Sequence, residues 1–345
     1  MKKRIVVTGG TGYIGSHTAV ELMNEGYEVI LIDNLSNSEA IVADRIGEIT
    51  GKKPQLEVLD LKRRKKLNQF LMGNGNIDAI VHFAAYKAVG ESVIKPLKYY
   101  KNNLVSLMNL LDAMKKFGIP SFVFSSSCTV YGQPEKLPVT EDAPIQPAVS
   151  PYGNTKQIGE AIIRDTVSVS KSMKAISLRY FNPIGAHPTA LIGELPRGVP
   201  ENLVPLITQT AYGLRPELKV YGNDYDTPDG SCIRDYLHVV DLAKAHVIAV
   251  KRLIEGTAKN NYEVFNLGTG TGVSVLDAIR SFERVSGIKL KYSITGRRAG
   301  DIEKIWADPS FANRELGWKT ISTLDEAMKS AWDWEMYIRK KTQQK

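Results

Sequence analysis

Short apolar runs separated by amphipathic stretches set the rhythm of the first half of the chain. Strand-like runs fall at 4–8, 28–33, 55–58, 79–83, 122–126 and 175–179, and helical periodicity fills 13–24, 98–116 and 152–169. Strands alternating with helices predict an α/β fold, a doubly wound parallel sheet with helices on both faces. After Phe181 the pattern loosens, because Pro183, Pro188, Pro196, Pro200, Pro205 and Pro216 break it into short elements. The expected division is a nucleotide-binding domain over 1–181 and a smaller, loop-rich α/β substrate domain over 182–345. The regular stretch 234–251 is expected to return to the first domain.

Composition narrows the class. Of the 345 residues 43% are hydrophobic, enough for a sizeable core. The apolar runs are strand-length, well short of the roughly 20 residues of a membrane span. Lys2, Lys3 and Arg4 lead into a strand-like run and then glycines, without the apolar core of a secretory signal. The chain reads as cytoplasmic, and no membrane partner is expected. Cys128 and Cys232 have no metal-ligand spacing and read as free thiols, so no metal is expected. The 45 Lys and Arg exceed 37 Asp and Glu, but the densest run, Lys62 to Lys66, lacks interleaved aromatics. It reads as a solvated helix face rather than a nucleic-acid surface.

Chemistry enters with Thr8-Gly9-Gly10-Thr11-Gly12-Tyr13-Ile14-Gly15, which follows the first strand and opens a helix. In this Rossmann-type context Gly9 permits the tight turn, Gly12 lets a pyrophosphate approach the backbone, and Gly15 lets the helix pack on the strand. Asp33 ends the second strand near the offset of roughly 20 residues at which an acid binds the adenosine ribose. A carboxylate there repels a 2'-phosphate, and Asn34, Asn37 and Ser38 bring no Arg to offset it. NAD is therefore expected over NADP. Asp60-Leu61 are placed at the adenine edge, and Phe83-Ala84-Ala85 supply small residues where a cofactor lies close. Further on, Tyr152 and Lys156 are one helical turn apart, so an ammonium would face a phenol and favour its ionised form.

Combined with Ser125-Ser126-Ser127, these motifs resemble the extended short-chain dehydrogenase/reductase family. The match continues through 87–93, 150–156, 179–187, 222–225, 234–239 and 266–270, nearly the whole chain. Within that family the order of motifs is similar to that of the isomerases that invert C4 of a UDP-hexose. The resemblance implies tightly bound NAD and reversible interconversion of UDP-galactose and UDP-glucose through a transient 4-keto sugar. It gives Tyr152 the role of base, Lys156 that of lowering the phenol's pKa and bonding the nicotinamide ribose, and Ser127 that of bonding the sugar 4-oxygen. It places Lys87, Asn102 and Tyr180 against NAD, and Asn182, Asn202, Leu203, Tyr221, Arg234, Arg298 and Asp301 around the UDP-sugar. The arginines suit a diphosphate because a guanidinium grips phosphate oxygens in pairs.

Other readings stay beside this one. A 4,6-dehydratase or decarboxylase on the same scaffold would need carboxylates after the catalytic serine, where this chain has Cys128-Thr129. A catalytically silent NAD-binding protein would be expected to lack Tyr152 or Lys156. No Gly-x-Ser-x-Gly elbow surrounds the serines, which speaks against a hydrolase. Gly268 to Gly272 reads as the start of a packed helix rather than a second phosphate loop, and His187 and His238 read as structural. Ile305 stands where the family's stricter members often carry Tyr and broader ones a smaller residue, so it leaves admission of UDP-GalNAc and UDP-GlcNAc open. The resemblance also implies a homodimer through the helices at 98–116 and 152–169.

Overall fold

The computed structural model describes residues 2–298 and 301–343. In chain order the first half runs β1 (Arg4–Thr8), α1 (Tyr13–Asn24), β2 (Glu28–Asp33), α2 (Ile41–Thr50), β3 (Gln55–Val58), α3 (Arg64–Gly73) and β4 (Ala79–His82). It continues through α4 (Val89–Ile94), α5 (Pro96–Phe117), β5 (Ser121–Ser125), α6 (Pro151–Ser168) and β6 (Lys174–Tyr180). The remainder holds β7 (Asn182–Ile184), α7 (Leu203–Ala211), β8 (Leu218–Tyr221), β9 (Ile233–Arg234), β10 (Tyr236–His238), α8 (Val239–Ile254) and β11 (Tyr262–Leu267). It ends with β12 (Val273–Ser274), α9 (Val275–Ser286), β13 (Tyr292–Thr295), β14 (Lys304–Ile305), α10 (Ser310–Glu315) and α11 (Leu324–Gln343).

Seven strands form one parallel sheet in the order β11-β6-β5-β4-β1-β2-β3. The central strands are buried on both faces, which is why they read as continuous Val, Ile and Phe runs rather than alternating ones. One face buries Ile5, Val7, Leu31 and Val81 with residues of α1 and α8, and the other buries Val6, Ile30, Ile80 and Phe122 with residues of α3, α5 and α6. The chain winds outward both ways from β1, so the carboxyl ends of β1 and β4 meet at a switch point, where such sheets bind ligands.

Past Phe181 the chain passes back and forth between this sheet and a second layer. That layer has its own core, in which Ile184, Ile207, Val220, Phe282 and Met328 are buried. Helix α8 packs on α1. The sheet also takes up β11, from within the stretch expected to form the substrate domain. A smaller cluster of Val130, Tyr131, Val139, Phe181, Ile305 and Ala307 joins the two layers. No helix among the described residues is long and apolar enough to cross a membrane.

Candidate active site

The glycine loop is a close-packed cradle. Gly9 has φ +69° and donates its N–H to the Ile32 carbonyl at 2.8 Å. A Cβ there would stand 2.8 Å from the Ala84 nitrogen, and one on Gly15 would stand 2.2 Å from the Gly9 oxygen. Any side chain would thus push the loop off β4 or lift α1 from it. The first turn of α1 has no side-chain cap and no acidic residue. Its N–H groups and positive dipole end face the bare loop, which suits a pyrophosphate.

Asp33 is buried at the end of β2. Its carboxylate accepts the Thr11 N–H at 3.2 Å, the Leu35 N–H at 2.9 Å and the Ser38 hydroxyl at 3.0 Å. Asn34 and Asn37 are exposed beside it. Asn34, Val58, Leu59, Asp60, Arg63 and Lys66 line a cleft of about 310 Å³, and Leu61 is buried behind it. Phe83, Ala84 and Ala85 leave β4 beside the loop, half-buried. Together the bare cradle, the buried Asp33 carboxylate and the adjoining cleft fit a dinucleotide.

Tyr152 and Lys156 come from the first turns of α6. Ser150 caps that helix by accepting the Gly153 N–H at 3.1 Å, and Pro151 occupies the first turn, where its missing N–H costs nothing. The Lys156 ammonium donates to the Ser125 carbonyl at 2.5 Å and lies 4.8 Å from the Phe124 ring centre and 5.9 Å from that of Tyr152. Burial lowers its pKa to about 8, against the opposing pull of Glu160. Burial likewise raises the Tyr152 phenol well above its ordinary value; neighbouring Tyr180 adds to this, and a hydrogen bond from Ser127 opposes it. Desolvation is the largest influence on the phenol, and the Lys156 ammonium is held by the Ser125 carbonyl. Ser127 itself is buried and caps the short turn Cys128–Tyr131. Burial pushes the Cys128 thiol up to about 12, so it stays neutral.

Behind this pair lies a network that ties Ser126, Arg179 and Asn266, all within sequence motifs, to Glu160 and Tyr131. Glu160, one turn after Lys156, accepts the Ser126 hydroxyl at 2.5 Å and, along one edge of the Arg179 guanidinium, Nη2 at 2.6 Å and Nε at 2.9 Å. Arg179 also donates to the Tyr131 hydroxyl at 2.9 Å, which donates to Asn266 Oδ1 at 2.7 Å. Tyr180 bonds Ser125 through its hydroxyl. A buried ion pair needs such complete hydrogen bonding to offset its desolvation. Here it fixes the serine strand against α6.

On the opposite side, Asp301 Oδ1 lies 2.6 Å from Arg298 Nη2 and 3.9 Å from Arg234 Nη2. One carboxylate faces two guanidinium groups, which leaves surplus positive charge for an anion. The Arg298 guanidinium carbon is 5.5 Å from the centre of the exposed Tyr221 ring. Asn182 opens β7, and Asn202 precedes Leu203 at the start of α7. Ile305 pairs with Arg234 across β14 and β9 and is 2% exposed, inside the cluster that holds Tyr131 and Phe181. Gly268 to Gly272 form a turn whose Thr269 and Gly270 N–H groups bind the Asp235 carboxylate at 2.8 and 3.3 Å. That turn is followed by the short strand β12 before α9 begins, rather than by a helix directly.

Other expected residues have protein partners. Asn102 donates to Asn103 Oδ1 at 3.1 Å, and Asn103 in turn reaches Thr155 at 3.0 Å. Lys87 lies 2.8 Å from Glu194, which also accepts Asn202 Nδ2 at 2.6 Å. Glu194 and Arg197 were missed: they sit in a proline-broken loop with no periodicity to place them.

Comparison with known proteins agrees with this geometry. A model of the NAD dependent epimerase/dehydratase family matches residues 5–268. The UDP-glucose 4-epimerase of Bacillus subtilis (strain 168) is 50% identical over 331 residues, covering 96% of each chain. A crystal structure of UDP-glucose-4-epimerase from Stenotrophomonas maltophila with bound NAD and formylated UDP-arabinopyranose is 44% identical, with a TM-score of 0.95 over 98% of this chain and 99% of that one. The enzyme from Bifidobacterium longum in complex with NAD+ and UDP is 45% identical, with a TM-score of 0.93 over 97% and 98%.

Proposed function

This chain belongs to the NAD dependent epimerase/dehydratase family, and from that footing we propose that it is a UDP-glucose 4-epimerase. The observation that carries the reading is the buried Tyr152, Lys156 and Ser127 set beside the glycine cradle, with paired arginines across the cleft. Gly9, Gly12, Tyr13, Ile14 and Gly15 would hold the NAD pyrophosphate, while Asp33, Asn34, Asn37 and Ser38 hold the adenosine ribose. Asp60, Leu61 and Phe83 to Ala85 would flank the rest, with Lys87, Asn102 and Tyr180. Bound NAD supplies a reversible hydride acceptor, so that oxidation and reduction at one carbon cancel.

The chain's own residues handle the proton and the substrate. Tyr152 takes the proton of the sugar 4-hydroxyl and returns it to the 4-oxygen, with Ser127 hydrogen-bonded to both. Burial holds the phenol protonated, and a positive charge beside it favours the phenolate. Charged Lys156 is the nearest such group this chain provides. Arg234 and Arg298 grip the diphosphate, with Asp301 orienting them, and Asn182, Asn202, Leu203 and Tyr221 surround the nucleotide. Ile305, buried beside Arg234, is the position at which bulk would decide whether UDP-GalNAc and UDP-GlcNAc are admitted.

The decisive assay supplies UDP-galactose without added NADH and looks for UDP-glucose. Formation of a 4-keto-6-deoxy sugar would sink the epimerase reading in favour of dehydration. Removing the proton carrier with Tyr152→Phe should lower turnover by about 10²- to 10⁴-fold. For the sugar range, Ile305→Tyr should depress activity on the N-acetylated substrates more than on UDP-galactose; equal loss on both would show that Ile305 sets no limit. The short apolar segments and two free thiols support a cytoplasmic protein. A homodimer through α5 and α6 is supported by Leu97 and Met108, 67% and 46% exposed on α5. Sedimentation equilibrium giving only monomer would remove that assignment.

A further inference from the structure

The loop from Gly185 to Asn202 crosses from the second layer onto the dinucleotide loop, and its attachments are unevenly distributed. Its base is rigid. Tyr13 donates its hydroxyl to the Gly185 carbonyl at 2.7 Å, Ala186 bridges to Gly193, and Ala190 turns the chain with φ +54°. Gly193 lies flat on Trp334, where a Cβ would meet the indole at 2.5 Å, and the indole N–H donates to the Glu194 carbonyl at 2.9 Å. Beyond Glu194 the loop runs out over the surface and touches the sheet side again through Arg197.

Among the described residues Arg197 binds only backbone carbonyls. Its Nη1 donates to those of Leu35 and Ser36, each at 3.3 Å, and its Nη2 to that of Ser38. Those residues form the turn after β2 that carries the ribose-facing groups. Leu35 has φ +57°, a left-handed conformation strained for a branched side chain. Asp33 holds that turn from one side through the Leu35 N–H at 2.9 Å and the Ser38 hydroxyl at 3.0 Å. From the other side, the guanidinium collects three carbonyls that would otherwise splay apart.

We propose that Arg197 is a positioning residue for the cofactor: it straps the 193–202 loop onto the strained Leu35 turn, so that NAD retention depends on a residue outside the nucleotide-binding half. The proposal rests on the epimerase reading, in which the cofactor must stay bound through many turnovers. Glu194 extends the strap, because its carboxylate joins Lys87 on the cofactor side to Asn202 on the substrate side. Opening the strap would therefore disturb both ligands' surroundings together.

The test measures release of bound NAD from the purified holoenzyme after dilution. Arg197→Ala should release NAD about tenfold faster, the loss expected for one charge-assisted clamp. The melting temperature of the NAD-free protein should hardly move. Arg197→Lys, which keeps the charge but not the planar fork, should fall between. Leu35→Asn adopts the left-handed turn more readily, so adding it to Arg197→Ala should recover part of the retention. If wild type and Arg197→Ala hold NAD equally long, the strap is wrong and the epimerase reading stands. Equal acceleration in the single and double variants would also overturn it. A wild type that takes up no NAD would overturn the functional reading itself.

Discussion

Lys156 makes the clearest case at the scale of one residue. In an unfolded chain its pKa would sit near 10.5, and burial in the fold brings it to about 8. Between those values the unfolded chain binds a proton that the fold does not, so stability of the ligand-free protein rises with pH across that window. Below about pH 8 both states are protonated and the cost of burying the charge is felt in full. In urea titrations, wild type should therefore gain stability relative to Lys156→Met between pH 8 and 10.5. Parallel curves would show that the ammonium is not desolvated. The spacing of Tyr152 and Lys156 was legible in the sequence because helical geometry fixes it. The direction of their pKa values was not, since burial and the Ser125 carbonyl come from strands far away in the chain.

Among the elements, α6 and its neighbours show what local pattern conveys and what it omits. Expected at 152–169, the helix runs Pro151–Ser168, with Ser150 and Pro151 as a start signal readable from residue type alone. Arg179 was legible as the start of the motif 179–187, but its tie to Glu160 was invisible, because a lone Glu resembles a surface residue until the fold buries it. Arg179→Ala would leave Glu160 charged and unpaired in the interior, which should cost about 3–5 kcal/mol. Denaturant unfolding checks that, and a loss below about 1 kcal/mol would mean that water reaches Glu160. The glycine loop yields a sharper expectation. Gly15→Ala places a methyl 2.2 Å from the Gly9 oxygen, so it should lose co-purified NAD and melt earlier, by about 1–3 kcal/mol of overpacking. Absorbance of the purified variant and a melting curve report both.

Across the whole molecule, the order of strands and helices through β6 followed from alternation, and the cofactor end of the sheet followed from that order. The second layer resisted, because its two- to four-residue strands are too short for a period to show. Of residues 262–267 only Asn266-Leu267 were legible, as the start of the motif 266–270. Their role as the seventh strand needs the partner β6, some eighty positions earlier in the chain. A fragment ending at Phe181 should therefore fold poorly, with β6 left as an open edge and Tyr131 deprived of the Asn266 acceptor. Size-exclusion chromatography of residues 1–181 against 1–270 would report it; equal recovery as monomeric folded protein would count against this dependence.

That seventh strand also sets a schedule for synthesis. A ribosome makes chain from one end, and β6 waits without its neighbour until Tyr262–Leu267 has left the exit tunnel. During that interval a parallel edge carrying Ala175, Ile176 and Leu178 is open to any other nascent chain. The stretch between them, which carries Arg234 and the Arg197 loop, must be threaded out and back before the edge closes. The polypeptide thus completes its cofactor sheet only after most of the second layer has been made, and pulse-labelled chains halted before residue 262 should be the ones that chaperones hold.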